Sequence, residues 1–452
     1  RLAGMFAFAL WDQRRGTLLL ARDRLGKKPL VYARLGDRVA FASEAKAILA
    51  LPDAPRELDP QSLHRYLLFQ YVPAPHAIFR GFGKLPPACF AELHAGGPQE
   101  VMPQRYWSLP QRTARFAGGY LEARERLGQL IERAVERRLI SDVPLGAFLS
   151  GGVDSSIVVG VMRRLGASPL RTFSIGFAEQ RYDESPWARL VAQHFQTEHH
   201  EQIVTPDARH VLDLLAWHYD EPFADSSAVP TYYVSQHARH SVTVALTGDG
   251  GDECFAGYDR YLGLRLAGRL SVVPQPLRAL LAHACPILPH RTPRPFSSRL
   301  HRFLSVLAQS ETQQYLAWMS IFPPELLRLA YHPDFVAQLD FEEPLRWFDG
   351  LMTGRGPAEQ RANRSDILSY LPYDLLTKVD VASMACSLEC RCPLLDHELV
   401  EFACSLPMAW RLGMTGGKRI LKDWATGLLP REILARPKMG FGVPVGAWLR
   451  RE

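Results

Sequence analysis

No apolar run reaches the roughly 18 residues that a membrane helix needs; even 277–288 is broken by Arg278, His283 and Pro286, so no membrane span is expected. A long basic run is also missing. The 53 Lys and Arg are interspersed with 47 Asp and Glu, leaving a formal charge of +6 that gives no reason to expect a nucleic-acid partner. Cysteine is scarce and unpaired in its spacing. The seven thiols at 89, 254, 285, 386, 390, 392 and 404 exclude a disulfide scaffold or a zinc ribbon and point to a reducing, cytoplasmic setting. Cys386, Cys390 and Cys392 cluster, but three thiols with no fourth ligand at a usual spacing read as packing residues. Neither an initiator Met nor a signal segment precedes the apolar run Met5-Phe6-Ala7-Phe8-Ala9-Leu10-Trp11. Such a run needs sheet neighbours, so the chain is expected to be a fragment whose first strands lie upstream.

What is present is ordinary globular sequence, 47% hydrophobic and 22% charged, long enough for two or more cores. Residues 5–106 carry short strand-like runs such as Thr17-Leu18-Leu19-Leu20-Ala21 and Leu30-Val31-Tyr32-Ala33, and Gly96-Gly97-Pro98 reads as a hairpin loop. A Pro-, Thr- and Gly-bearing passage at 110–119 then precedes an amphipathic stretch at 120–139, predicted to be a helix opening a second domain. From there strand-like runs at 145–149, 172–177 and 242–247 alternate with helical patterns at 155–164, 184–195 and 208–217. That alternation predicts βαβ units and a parallel sheet covered by helices, the α/β class. Beyond Gly257 the pattern is mainly helical, apart from a Pro-rich passage bearing Pro274, Pro276, Pro286, Pro289, Pro293 and Pro295.

The sharpest chemical signal is Ser150-Gly151-Gly152-Val153-Asp154-Ser155-Ser156, between a predicted strand and a predicted helix. Glycines let backbone approach an anion, the helix start offers unpaired N–H groups, and three hydroxyls add donors; together they form a phosphate cradle. A plain N-cap with a Gly-rich turn would use similar residues, but the strand before it and the helix after it favour the cradle. No lysine follows at the spacing of kinase-like NTPases. The second signal is Thr247-Gly248-Asp249-Gly250-Gly251-Asp252-Glu253, whose three carboxylates on a glycine turn repel one another unless a cation joins them. It ends a predicted parallel strand, where α/β sheets bind ligands.

The first motif resembles the pyrophosphate loop of ATP pyrophosphatases, and both together resemble the glutamine-dependent asparagine synthetase family. The resemblance implies adenylation rather than phosphorylation. It implies that Ser150, Gly151, Gly152, Asp154, Ser155 and Ser156 hold the β- and γ-phosphates of ATP, with Asp154 and Asp252 as Mg²⁺ ligands. Adenine and ribose would rest against Phe148, Ile175 and Gly248, with Thr247 beside them. Asp249 stands where the family has a residue associated with acyl-adenylate formation. Gly416-Gly417-Lys418-Arg419-Ile420-Leu421-Lys422 resembles the segment whose lysine reaches the reacting phosphate, making Lys418 the expected catalytic cation. Leu371 through Asp380 and Ser387 through Asp396 resemble the substrate-side helix and turn, with Asp374 and Asp380 as expected substrate ligands. Cys390 and Cys392 depart from the usual pattern and are expected to affect packing alone. Arg436-Pro437-Lys438-Met439-Gly440-Phe441-Gly442-Val443-Pro444 matches a following loop to which no chemistry is assigned.

The first domain adds its own resemblance. Gly4 through Asp12, Arg22-Asp23-Arg24-Leu25-Gly26-Lys27-Lys28-Pro29-Leu30 and Ala42-Ser43-Glu44-Ala45-Lys46 are similar to the later half of a class II glutaminase domain. Residues 1–110 are therefore expected to be a remnant of that α+β domain, with its layered sheets, and 111–452 to be the synthetase domain. The nucleophilic cysteine and glutamine-binding elements of the family would precede Arg1, and Cys89 comes too late to replace that cysteine. The family implies aspartate, ATP, and glutamine or ammonia as substrates, with these residues alone relying on ammonia. The implied reaction is amidation of aspartate through β-aspartyl-AMP. A related amidotransferase acting on a polysaccharide, peptide or β-lactam-type acceptor is the alternative. A homodimer is compatible with either.

Overall fold

The computed structural model describes residues 2–97, 100–110, 115–204, 208–284 and 295–437. Its N-terminal part holds two antiparallel sheets. One has the order β1-β2-β6-β7, from Ala7–Asp12, Thr17–Arg22, Cys89–His94 and Gln104–Arg105. The other has the order β4-β3-β5, from Arg38–Ala42, Val31–Leu35 and Phe82–Lys84. β1 is an edge strand in this structure, and Leu10 and Trp11 are exposed on it. Pro98 of the expected hairpin loop lies outside the described residues. Two helices, α1 (Ala45–Leu49) and α2 (Pro60–Phe69), complete this part. α2 starts where the Asp59 carboxylate accepts from the Ser62 N–H at 3.0 Å, and Pro60 occupies its first turn, where no donor is needed.

The second part is built on five parallel strands: β8 (Leu145–Phe148), β9 (Arg171–Phe177), β10 (Glu198–Val204), β11 (Val244–Leu246) and β12 (Glu389–Arg391). Their order is β10-β9-β8-β11-β12, so the chain winds outward from β8 in one direction and then returns to its other side at β11. Between β8 and β11 the winding reverses, and the loops leaving their carboxyl ends diverge around a crevice, the place where such sheets bind ligands. Both sequence motifs are those two loops.

Apolar residues cover the two sheet faces. Helix α3 (Tyr120–Leu139) buries Ala123, Leu127, Ile131, Ala134 and Val135 at helical spacing against α4 (Val153–Arg164), whose residues from Ser155 to Met162 are all buried. On the other face Phe173, Ile175 and Phe177 of β9 meet α6 (Ala208–Tyr219) and α7 (Ala228–Arg239) in a second core, while α5 (Ser185–Phe195) packs beside α4. Gly146 is required in β8: a Cβ there would lie 2.7 Å from the Phe173 ring and 2.9 Å from the Arg171 carbonyl. The chain after β11 is mainly helical. It begins with the short α8 (Gly251–Cys254) and α9 (Asp259–Arg269), and a third core joins Tyr261, Tyr315 and Phe348 to Leu68, Phe69 and Tyr71 of the N-terminal part.

The N-terminal part is tied to the sheet domain by its basic turn. Asp23 accepts from the backbone of Leu25, Lys27 and Lys28 at 3.0–3.1 Å, and Arg22 donates to the Lys28, Leu85 and Gly26 carbonyls. The turn thus formed aims two cations across the boundary. Lys27 donates to the Leu395 carbonyl at 2.9 Å, and Lys28 meets Asp380 at 2.6 Å. No helix among the described residues is long and apolar enough to cross a membrane.

Candidate active site

The crevice at the switch point is a cleft of about 1280 Å³. Its floor is the loop after β8. Gly152 caps α4 without a side-chain acceptor of its own, so the start of the helix carries no side-chain cap. Ser150 Oγ and Ser155 Oγ lie 3.2 Å apart, and the Gly152 N–H donates to Ser150 Oγ at 3.3 Å, which folds the loop over the helix start. Gly151 holds a φ of +67°, and a Cβ there would strike the backbone of Trp187 and sit 2.6 Å from the Ala188 nitrogen. Only glycine fits there. Ser150, Gly152, Asp154 and Ser155 line the cleft, whereas Gly151 and Ser156 are buried just beneath it. Ser156 Oγ has no hydrogen-bond partner among the described residues.

The loop after β11 forms the facing wall. Thr247 is fixed by its N–H to the Arg391 carbonyl (2.8 Å) and by its hydroxyl to Cys392 Sγ (3.4 Å), so Cys392 is a buried packing partner of this loop. Gly250 turns the chain at φ +95° into α8. Gly248 approaches α4 so closely that a Cβ would lie 2.6 Å from the Ser155 nitrogen. The two motifs are therefore packed backbone against backbone. All three carboxylates border the cleft, but Glu253 is buried and accepts from the Tyr258 hydroxyl, whereas Asp249 and Asp252 are less deeply buried.

Lys418 unites the loops. Its ammonium contacts Asp154 and lies 2.8 Å from Asp252, and its own backbone is left-handed at φ +61°, anchored by an N–H to the Phe255 carbonyl at 2.8 Å. Burial works against its charge, but Asp154 and Asp252 outweigh burial and hold the ammonium above the usual lysine range. Space for it depends on Gly257, where a Cβ would collide with Asp252 and Lys418. Sequence reading puts Asp154 and Asp252 around a metal and Lys418 beside the phosphate. The structure brings all three to one point, with the ammonium between the carboxylates.

Phe148, Ile175, Thr247 and Gly248 line the same cleft on the sheet side. Farther in, Lys378 donates to Asp225 (3.1 Å) and to Ser227 Oγ (2.8 Å) and lies near enough to Asp249 to feel its charge. Burial opposes ionisation of Asp225, yet Lys378 and Ser227 hold its carboxyl below the usual range. Asp374 stands behind this pair, fully buried, and burial together with neighbouring Asp225 pushes it well above the carboxylate range. Asp380 is not brought to the cleft. It is paired with Lys28 and lines a separate cavity of about 430 Å³ between the N-terminal part and the helix Leu376–Met384.

Sequence reading gives no role to Glu184, Asp225 or Arg436. Arg436 donates to the Ser150 carbonyl at 3.2 Å, contacts Glu184 and covers the Trp187 ring at 5.1 Å, so it pins the loop after β8 from a position 286 residues later in the sequence. Burial outweighs Arg436 and pushes Glu184 up to about 7. A signal for Asp225 existed in Asp225-Ser226-Ser227, a side chain capping its own turn; Ser227 N–H donates to it at 2.8 Å. Arg436 carried no local signal. Residues 438–444 of its segment lie outside the described residues.

Residues 126–452 match the family model described as asparagine synthase, and 1–107 match that of a glutamine amidotransferase domain. The chain is 31% identical, over its whole length and 70% of the relative, to asparagine synthetase [glutamine-hydrolyzing] 1 of Bacillus subtilis. It is 33% identical, over its whole length and 68% of the relative, to a putative asparagine synthetase [glutamine-hydrolyzing] of Mycobacterium tuberculosis. Amidase chry2 of Gibberella zeae is more distant, at 26% over 99% of the chain and 70% of the relative.

Proposed function

This chain belongs to the asparagine synthase family, and on that premise we propose that it converts aspartate to asparagine through a β-aspartyl adenylate. ATP-dependent amidation of a carboxylate is the coarser chemistry, supported across the whole chain by its relatives. The observation that carries the finer reading is the convergence of Asp154, Asp252 and Lys418 on one point between two loops that leave adjacent strands at the switch point.

The acceptor carboxylate attacks the α-phosphorus of ATP, pyrophosphate leaves, and ammonia then displaces AMP from the acyl adenylate. The N–H groups at the start of α4 and the hydroxyls of Ser150 and Ser155 bind the phosphates. Lys418, a fixed cation in a largely dry wall, stabilises charge that grows on the phosphates as the carboxylate attacks. Asp249 acts near the reacting acyl group. Lys378 and Asp225 orient the acceptor, with Asp374 supporting Asp225 from behind and Asp380 bearing on the acceptor only through the helix Leu376–Met384.

The donors present fit Mg²⁺. Two carboxylates from different loops share one cation position, and no group of three metal-ligating side chains occurs among the described residues, so phosphate oxygens would complete the shell. Mg²⁺ held by Asp154 and Asp252 would neutralise charge on the leaving pyrophosphate.

ATP–pyrophosphate exchange with aspartate, glutamate or no amino acid tests the acceptor. Exchange that requires aspartate supports the proposal. No exchange with aspartate, but exchange with a larger carboxylate, would move the chain toward the amidase-named relatives.

A further inference from the structure

Among the described residues, the cations lining the cleft are almost all committed. Lys418 joins two carboxylates, Lys378 meets Asp225, and Arg436 meets Glu184. On the rim Arg299 faces Asp259 at 3.4 Å, and Arg419 turns to the Ala409 carbonyl and the Tyr120 ring. Lys422 differs from these five. It lines the same cleft, is half-buried, and has no ion-pair partner among the described residues.

Lys422 lies on the helix Arg419–Ala425. The Lys422 N–H donates to the Lys418 carbonyl at 2.8 Å, so the two lysines stand one turn apart on one helix face. Like charges at that spacing repel, and the adjacent carboxylate, Asp423, is occupied by the Tyr120 hydroxyl. Burial, and then Lys418, lower the pKa of Lys422, with Asp154 offsetting only part. A lysine serving solubility alone would be placed outward. Here a second ammonium is held in the wall beside the phosphate loop, where an anion of high charge would relieve the repulsion.

We propose that Lys422 binds the terminal phosphates of ATP and inorganic pyrophosphate, forming with Lys418 a two-cation wall beside the start of α4. The assignment rests on reading the cleft as the site of pyrophosphate release. It differs from Lys418 in kind: Lys418 is tied to the carboxylates, whereas Lys422 is free to follow the leaving group.

Calorimetric titration of the full chain with magnesium pyrophosphate, and separately with AMP, tests this. Lys422→Met keeps the aliphatic stem and removes the charge; it should weaken pyrophosphate about tenfold to a hundredfold, the loss of one charge-assisted contact, and leave AMP within about twofold. Lys422→Arg should restore most of the pyrophosphate affinity. Unchanged pyrophosphate binding in Lys422→Met overturns the assignment, as does an equal loss for AMP and pyrophosphate, which would mark a structural role. Failure of the unsubstituted chain to bind either ligand would overturn the reading of the cleft and the assignment with it.

Discussion

Replacing Lys418 by alanine tests the site at its centre. The ammonium sits 2.8 Å from Asp252 and also contacts Asp154, with little of any of the three side chains exposed. At an effective dielectric of about 20, attraction over that distance is roughly 6 kcal/mol per pair before desolvation is subtracted. What survives as a net charge-assisted contact is about 1.5–3 kcal/mol. The variant should therefore be measurably less stable, because two carboxylates are left facing each other, and it should bind Mg²⁺ more tightly for the same reason. The catalytic loss should be larger. A preorganised cation acting on developing charge is worth about 10²–10³ in rate, or roughly 2.7–4 kcal/mol, so kcat should fall by that factor. KM for ATP should change by no more than about threefold, since α4, its hydroxyls and Lys422 still hold the phosphates in the ground state. Steady-state AMP production at varied ATP separates the two. An effect confined to KM would refute the transition-state role, and unchanged kcat would remove Lys418 from the chemistry altogether.

Asp154→Asn and Asp252→Asn should each abolish pyrophosphate release while the fold is retained, because each removes one of two carboxylates sharing a cation; near-normal release in either would exclude that residue from the metal site. Gly151→Ala should cost about 1–3 kcal/mol and most nucleotide affinity, since φ +67° and the Trp187 backbone leave no room for a Cβ; thermal melts with and without ATP report both. Glu184, pushed up to about 7 by burial, takes up its proton more readily in the folded than in the unfolded chain. Its contribution is fully present at low pH and is lost as pH rises through about 7, a fall of roughly 2–4 kcal/mol. Glu184→Gln should flatten that slope, and denaturant unfolding at acid and at mildly alkaline pH would contradict this if both proteins changed alike.

Much of the sheet was legible because its inner strands are continuous apolar runs. β8, β9 and β11 fall within a residue or two of the runs read at 145–149, 172–177 and 242–247. β10 and β12 were not read, for physical reasons. β10 is an edge strand whose Glu198-His199-His200-Glu201 carries no apolar period, and β12 has three residues whose pairing with β11 is wholly tertiary. The two loops of the site were legible because glycines beside hydroxyls in one, and beside carboxylates in the other, stand where a parallel strand ends, the place where such sheets bind ligands. What could not be read is which distant side chains close on those loops. Arg436 reaches Ser150 across 286 positions of sequence, and Asp380 is taken up by Lys28 across 352. No local pattern encodes either meeting. Lys418 was identified by resemblance, but its position between Asp154 and Asp252 follows only from the packing of Gly257 and Gly417 around it; a Cβ on Gly417 would strike the Ala256 carbonyl.

If an acceptor carboxylate attacks the α-phosphorus of ATP in this cleft, one of its oxygens must leave with AMP. Aspartate labelled with ¹⁸O in its β-carboxylate, turned over with ATP, Mg²⁺ and ammonium, tests it most directly, because the oxygen that bridges carbon and phosphorus departs with the nucleotide when ammonia displaces it. ¹⁸O is expected in AMP and none in pyrophosphate, with one asparagine formed per AMP. Label in inorganic phosphate, with ADP as the nucleotide product, would contradict attack at the α-phosphorus.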